Sequence, residues 1–115
     1  MFSVFNQVNN NFNKVVLKDN LSQTYVEILP DCGGIIHSFN VLYGHDFLNV
    51  IANYDSEQDF KDNVTSKGCR GCKLSPFACR IKDGTYEFAG NVYTIGKFII
   101  EGSALHGFLF DEPFA

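Results

Sequence analysis

The sequence predicts an all-β fold of antiparallel strands, and three observations carry that prediction. Side chains over residues 34–42 alternate with a period of two, short β-prone segments recur between turn dipeptides, and one stretch alone changes to helical character. At 115 residues the chain has the size of one ordinary domain, so a single compact unit is expected. Apolar residues make up 45% of it and charged residues 19%, which is enough for a core and too little charge for a solvated disordered polymer. With 12 Phe, 5 Tyr, no Trp and one Met, aromatic rings must supply much of the burial.

Residues 1–13 carry five Asn among scattered Phe and Val and read as a loose arm or an edge strand. Segments 14–18, 23–29 and 34–42 then read as strands, separated by Asp19-Asn20 and by Pro30-Asp31-Cys32-Gly33. In the third, Ile35, His37, Phe39 and Val41 share one face and Ile36, Ser38 and Asn40 the other. Residues 47–52 continue in the same style after a Gly44 turn. Residues 53–66 turn polar and acidic, and Ser56 followed three positions later by Asp59 predicts a capped helical turn. A loop over 67–73 holds two Gly and two Cys. Asp83-Gly84 and Gly90-Asn91 mark tight turns around strands at 85–88 and 92–95, an antiparallel meander. A further strand is expected at 97–101, and the run Phe108-Leu109-Phe110 reads as an interior strand that needs a cover. If the chain folds alone, that open edge predicts a homo-oligomer or domain swap.

Nine Lys and Arg against thirteen Asp and Glu give a formal net charge of −4, the wrong sign for holding a phosphate backbone, so nucleic acid is not an expected partner. The first charged side chain is Lys14 and no basic patch leads into an apolar segment, so no secretory signal is read and a cytoplasmic location is expected. No apolar stretch approaches the roughly 18 residues of a membrane span, so no membrane partner is expected either. Cys32, Cys69, Cys72 and Cys79 are then expected to be reduced thiols. Cys69 and Cys72 with Cys79 offer a zinc reading, with His45 or His106 as a fourth ligand, but a structural site normally shows two close pairs, and small loop thiols are the favoured reading. The Asp55-x-Glu57-x-Asp59 pattern has Phe60 where a calcium loop needs Gly and is rejected. Adjacent Asp111 and Glu112 read as surface groups.

Of the three histidines, His37 reads as a satisfied core or rim residue and His45 as a turn residue. His106 stands between Leu105 and Gly107, where a glycine lets backbone approach closely and an imidazole can exchange protons near neutral pH. Arg80 either reaches a ligand oxygen through its planar fork or pairs with Asp83 or Glu87, and spacing does not decide between these.

Three motifs around these residues resemble the aldose 1-epimerase (galactose mutarotase-like) family. They are Pro76-Phe77-Ala78-Cys79-Arg80-Ile81, the run Gly84-Thr85-Tyr86-Glu87-Phe88-Ala89-Gly90-Asn91-Val92-Tyr93, and Leu105-His106-Gly107. The resemblance runs from about residue 23 to residue 110. It implies an antiparallel β-sandwich, of the supersandwich type, of which residues 1–115 form an N-terminal portion. It implies interconversion of the α and β anomers of a free aldose of the glucose or galactose class, with no cofactor and no metal. A carboxylate base takes the anomeric proton, a histidine assists at the ring oxygen, and the ring opens and recloses. Carried over by position, Arg80 holds sugar hydroxyls and His106 is both substrate-binding and catalytic. Cys79 stands where many members have Asn, and the family's second histidine and acidic base lie downstream of the matching positions, so this chain alone is expected to show little activity. The alternative is a non-catalytic carbohydrate-binding or self-associating β module.

Overall fold

The computed structural model describes residues 1–9 and 11–114; residue 10 of the predicted arm and residue 115 lie outside the described residues. The chain is built of antiparallel strands with one short helix among the described residues, which bears out the all-β class and is consistent with an antiparallel sandwich. It falls into two compact units, Met1–Lys73 with Asp111–Ala115, and Leu74–Phe110.

The first unit is a five-stranded meander in the order β1 (Phe2–Val8), β2 (Asn13–Asp19), β3 (Tyr25–Leu29), β4 (Ile35–Tyr43), β5 (Asp46–Asn49). Consecutive strands pair antiparallel because each is joined to the next by a short polar connection, the arrangement that costs least loop entropy. Asp19 closes the β2–β3 turn by accepting from the Leu21 and Ser22 backbone N–H groups and from the Ser22 hydroxyl. Those bonds hold its carboxyl below the usual range.

The alternation expected along β4 is broken at one place. Glu27 faces Ser38 while Ile28 faces Ile36, so His37 is the extra residue of a β-bulge. Beyond it the phase reverses: Phe39 and Val41 join Ile36 on one face, and Ile35, Ser38 and Asn40 share the other. His37 itself is buried, 4.6 Å from the Phe12 ring centroid, with its Nδ1 unpaired. It is a core histidine, as expected, but not a satisfied one. Burial holds its pKa below the ordinary imidazole value.

Helix α1 (Glu57–Asn63) starts where the Ser56–Asp59 spacing predicted. The Ser56 hydroxyl accepts from the Asp59 backbone N–H at 3.0 Å, and the Asp59 carboxylate accepts from the Asp55 N–H and from Lys67 Nζ at 2.6 and 2.7 Å. The bond from Lys67 is the largest influence pulling the Asp59 pKa down to about 2. The helix contributes Phe60 to a buried group with Phe12, Leu29, Cys32, Ile35, Tyr54 and Val64, in which Tyr54 and Phe60 meet edge to face.

The second unit holds a three-stranded sheet, β6 (Arg80–Lys82), β10 (Ser103–Leu105) and β9 (Ile99–Ile100) with β10 central, and a hairpin of β7 (Thr85–Phe88) and β8 (Asn91–Thr94). The hairpin turn is Ala89-Gly90, both at positive φ, one residue earlier than the predicted Gly90-Asn91. Tyr86 and Tyr93 stack across it, 5.1 Å between centroids. The predicted strand at 108–110 is not formed: the final strand is Ser103–Leu105. After it, positive φ at His106 and Gly107 turns the chain out of the ladder, and Phe110 is buried against Phe98.

Candidate functional site

Arg80 opens β6 and His106 follows β10, and the register of those strands brings their backbones side by side, since Leu105 faces Arg80. One step outward, Cys79 and His106 are joined by two hydrogen bonds. The His106 N–H donates to the Cys79 carbonyl at 2.9 Å, and the Cys79 N–H donates to His106 Nδ1 at 3.1 Å. A backbone N–H is only a donor, so the nitrogen it meets must be an acceptor and the neutral ring carries its proton on Nε2. His106 is therefore a half-buried hydrogen-bond donor of fixed tautomer. Cys79 and His106 have φ of 63 and 59, outside the strand region, so the ladder ends at both residues together.

Gly107 explains why the Pro-aromatic-x-x-Arg and Leu-His-Gly motifs occur together. A Cβ at this glycine would run into the Ser75 carbonyl and the Pro76 nitrogen, and its φ is +78. The backbones of residues 75 and 107 bridge there, Phe108 N–H donates to the Ser75 carbonyl at 2.7 Å, and the Phe77 and Phe108 rings meet edge to face. The middle motif is tied in similarly. Gly84, also at positive φ, accepts from the Ile95 N–H at 2.7 Å through its carbonyl, and a Cβ on it would run into the Ile95 carbonyl.

Arg80 is about half exposed. Its ion-pair partner is neither Asp83 nor Glu87, the two alternatives the spacing suggested, but Glu101 at 3.4 Å, and its Nη1 donates to the Ile100 carbonyl at 3.3 Å. Glu101 sits in the β9–β10 turn at φ 50. Its position opposite Arg80 follows from strand pairing, which sequence separation does not reveal. An exposed pair of this kind is weak, so the guanidinium can exchange it for a ligand oxygen at little cost.

His45 is exposed in the β4–β5 turn, and Asp111 and Glu112 are exposed. All four cysteines are free thiols. Burial pushes Cys72 up to about 12 and Cys32 up to about 11, and raises Cys69, so these three stay protonated and unreactive. Among the described residues no group of three or more His, Cys, Asp or Glu side chains is placed to hold a metal ion. A groove of about 470 Å³ along β1, β2 and β3 is almost wholly apolar, and neither Arg80 nor His106 lines it. No helix among the described residues is long and apolar enough to cross a membrane.

No curated protein matches the sequence. The family model for aldose 1-epimerase matches residues 14–115, covering all three motifs and four strands of the first sheet, and the chain belongs to that family.

Proposed function

We propose that Arg80 and His106 form part of an aldose-binding site that serves the interconversion of sugar anomers. The observation that carries this reading is the hydrogen bond from the Cys79 N–H to His106 Nδ1, which presents Nε2–H as a fixed donor. A sugar ring oxygen is an acceptor. A donor held toward it stabilises the charge that develops as the bond between the anomeric carbon and the ring oxygen breaks, without needing to reorient. The Arg80 fork, with five N–H donors and a displaceable partner, suits vicinal hydroxyls. Catalysis also requires a base for the anomeric proton, a role that neither Arg80 nor His106 fills in this reading. Loss of such a group typically costs about 10²- to 10⁴-fold in rate, so binding should exceed turnover. No cofactor enters this chemistry, and a cytoplasmic setting accords with free thiols.

Two measurements test the reading. Titration of the ¹⁵N-labelled chain with glucose and galactose should shift the amides of Cys79, Arg80 and His106, and the shifts should vanish in Arg80→Ala and His106→Ala. Polarimetry of freshly dissolved α-glucose should show a rate close to that of buffer. Absence of any sugar-dependent shift at these residues up to solubility-limited concentrations would sink the binding role, and rapid mutarotation by His106→Ala would remove His106 from it.

A further inference from the structure

The bulge in β4 sets two adjacent side chains against their preferences. His37 is 5% exposed with its Nδ1 unpaired, while Ile36 is 47% exposed. Burying an unpartnered imidazole nitrogen costs free energy, and burying an isoleucine gains it. Both placements follow from where the extra residue of the strand sits. On one side of the bulge Tyr25, Val26 and Glu27 face Asn40, Phe39 and Ser38; on the other Ile28 and Leu29 face Ile36 and Ile35. Carried on without a bulge, the first register sets Ile28 opposite His37 and Leu29 opposite Ile36, and a step of one residue turns each side chain to the other face. His37 then joins Ile28 and Val15 on the face that Ile36 now holds, Ile36 replaces Ile35 against the buried Leu29, and Ile35 turns outward. That second arrangement is the unbroken period-two alternation of residues 34–42 in the sequence. One isoleucine of the pair lies outside in either arrangement, so the exchange costs little apolar burial. It does cost the packing of the imidazole on Phe12, 4.6 Å between centroids, and the hydrogen bond from the Ile36 N–H to the Gly71 carbonyl at 3.2 Å. It relieves the orphaned Nδ1. The extra residue passes into the β3–β4 turn, where Gly33 and Gly34 already stand at positive φ and one more residue adds little closure entropy.

We propose that residues 35–37 are a two-state element, in which a proton on His37 carries the bulge into the β3–β4 turn and exchanges His37 for Ile36 at the core. The charged groups that act on His37 are Lys14 on β2, which opposes a proton there and whose Nζ lies 5.9 Å from the Phe12 ring centroid, and Glu27 on β3, which favours one. Those two are paired with each other at 3.0 Å, and Glu27 also accepts from the Ser38 hydroxyl at 2.7 Å, so the carboxylate is already engaged when the imidazolium forms. Leaving the core is the open route for the charged ring. In solvent it has its ordinary pKa of about 6.5, and each pH unit below that favours the exposed arrangement by up to about tenfold. The exchange reaches the loop over residues 67–73, because Ile36 gives up Gly71, whose backbone packs so closely on it that a Cβ there would run into the Ile36 carbonyl. This inference does not depend on the sugar-binding reading, because Arg80 and His106 take no part in the pairing of β3 with β4.

Methyl and amide spectra of the full labelled chain, followed from pH 7 to pH 5, test this. At pH 7 the Ile36 methyls should be open to a soluble paramagnetic relaxation agent and the Ile35 methyls protected. Toward pH 5 the two should exchange, the cross-strand contacts of Ile36 should move from Ile28 to Leu29, and the Ile36 amide should shift, while the Val92 methyls stay in place. His37→Lys, charged throughout this range, should show the acid form already at pH 7, and His37→Phe should keep the neutral form at pH 5. Should His37→Lys fail to fold, the wild-type titration set against His37→Phe decides by itself. Protonation of the His37 ring with Ile35 and Ile36 unmoved, the same exchange in His37→Phe, no change at either isoleucine down to pH 5, or loss of the whole fold with no second folded form would each overturn the proposal.

Discussion

The five-stranded sheet and the Leu74–Phe110 unit are both antiparallel β-structure, but they reverse the chain by different means. Of the eight non-glycine residues with positive φ among the described residues, two, Gln23 and Cys69, fall in Met1–Lys73; the other six, Cys79, Asp83, Ala89, Phe98, Glu101 and His106, fall in Leu74–Phe110. Such conformations cost on the order of 1 kcal/mol or more each for ordinary side chains and persist only where surrounding structure over-determines them. The first unit is set by side-chain periodicity and cross-strand pairing. The second is set by backbone closures at specific residues, and those closures coincide with the three motifs. Strain is concentrated where the chemistry is proposed.

The largest effect that would sharpen this contrast is Gly107→Ala. Gly107 and Gly44 both have positive φ, but an added Cβ meets open space at Gly44 and the Ser75–Pro76 backbone at Gly107. Gly44→Ala should cost about 1 kcal/mol, the conformational penalty alone. Gly107→Ala adds overpacking against backbone and should cost about 3–5 kcal/mol. Urea denaturation of both variants measures the difference, and equal losses would show that φ alone governs both sites.

The next effect belongs to the sheet. Lys14 pairs with Glu27 at 3.0 Å, with side chains only 12% and 15% exposed, and Glu27 also accepts from Ser38, which in turn accepts from Asn40. Glu27→Ala leaves a largely enclosed ammonium and a buried hydroxyl without their partner and should destabilise by about 3 kcal/mol. A loss near that expected for an exposed pair, below ~1 kcal/mol, would mean that water reaches this row.

His37 gives a pH test of the bulge. Its folded-state pKa lies below the unfolded value of about 6.5. Between the two, the unfolded chain binds more protons than the folded one, so stability rises with pH through that window and is level above about 6.5. Acidification from pH 7 to 5 should therefore lower the melting temperature of the wild type, and His37→Phe should flatten that dependence. Asp59, held down by Lys67, loses its contribution only in a separate window, below its ordinary 3.8 and toward 2. An unchanged pH profile in His37→Phe would contradict burial as the cause.

These contrasts also explain what the sequence made legible. The strands β2 to β5, the hairpin and the Ser56 cap follow from period-two patterning, turn dipeptides and a hydroxyl at the right spacing, all of them local signals. The bulge at His37 was not legible, because it depends on how β3 pairs with β4, and a single extra residue reverses every later side chain in the strand. Residues 108–110 look like a strand by apolar content alone. The backbone turn at His106 and Gly107 decides otherwise, and nothing in the residue types requires a histidine to take positive φ. Arg80 and His106 were legible as candidates through their motifs. The pairing of Arg80 with Glu101 and the tautomer of His106 were not, since both arise from contacts between residues 20 or more positions apart.

The smallest effect bears directly on the strained pair. Cys79 adopts a φ of 63, in the left-handed region. Asn tolerates the left-handed region far better than Cys, because its short amide bonds to nearby backbone. Cys79→Asn should therefore stabilise the chain by about 0.5–1 kcal/mol, while the Cys79 N–H continues to hold His106 Nδ1 because that donor belongs to the backbone. Cys79→Val, β-branched and disfavoured at positive φ, should destabilise by about 1–2 kcal/mol. The ¹⁵N shift of His106 Nδ1 reads the hydrogen bond independently of stability. If Asn stabilises and the Nδ1 signal stays put, the strain at Cys79 is a cost of the thiol alone; if the signal moves, the residue at 79 also sets the orientation of the imidazole.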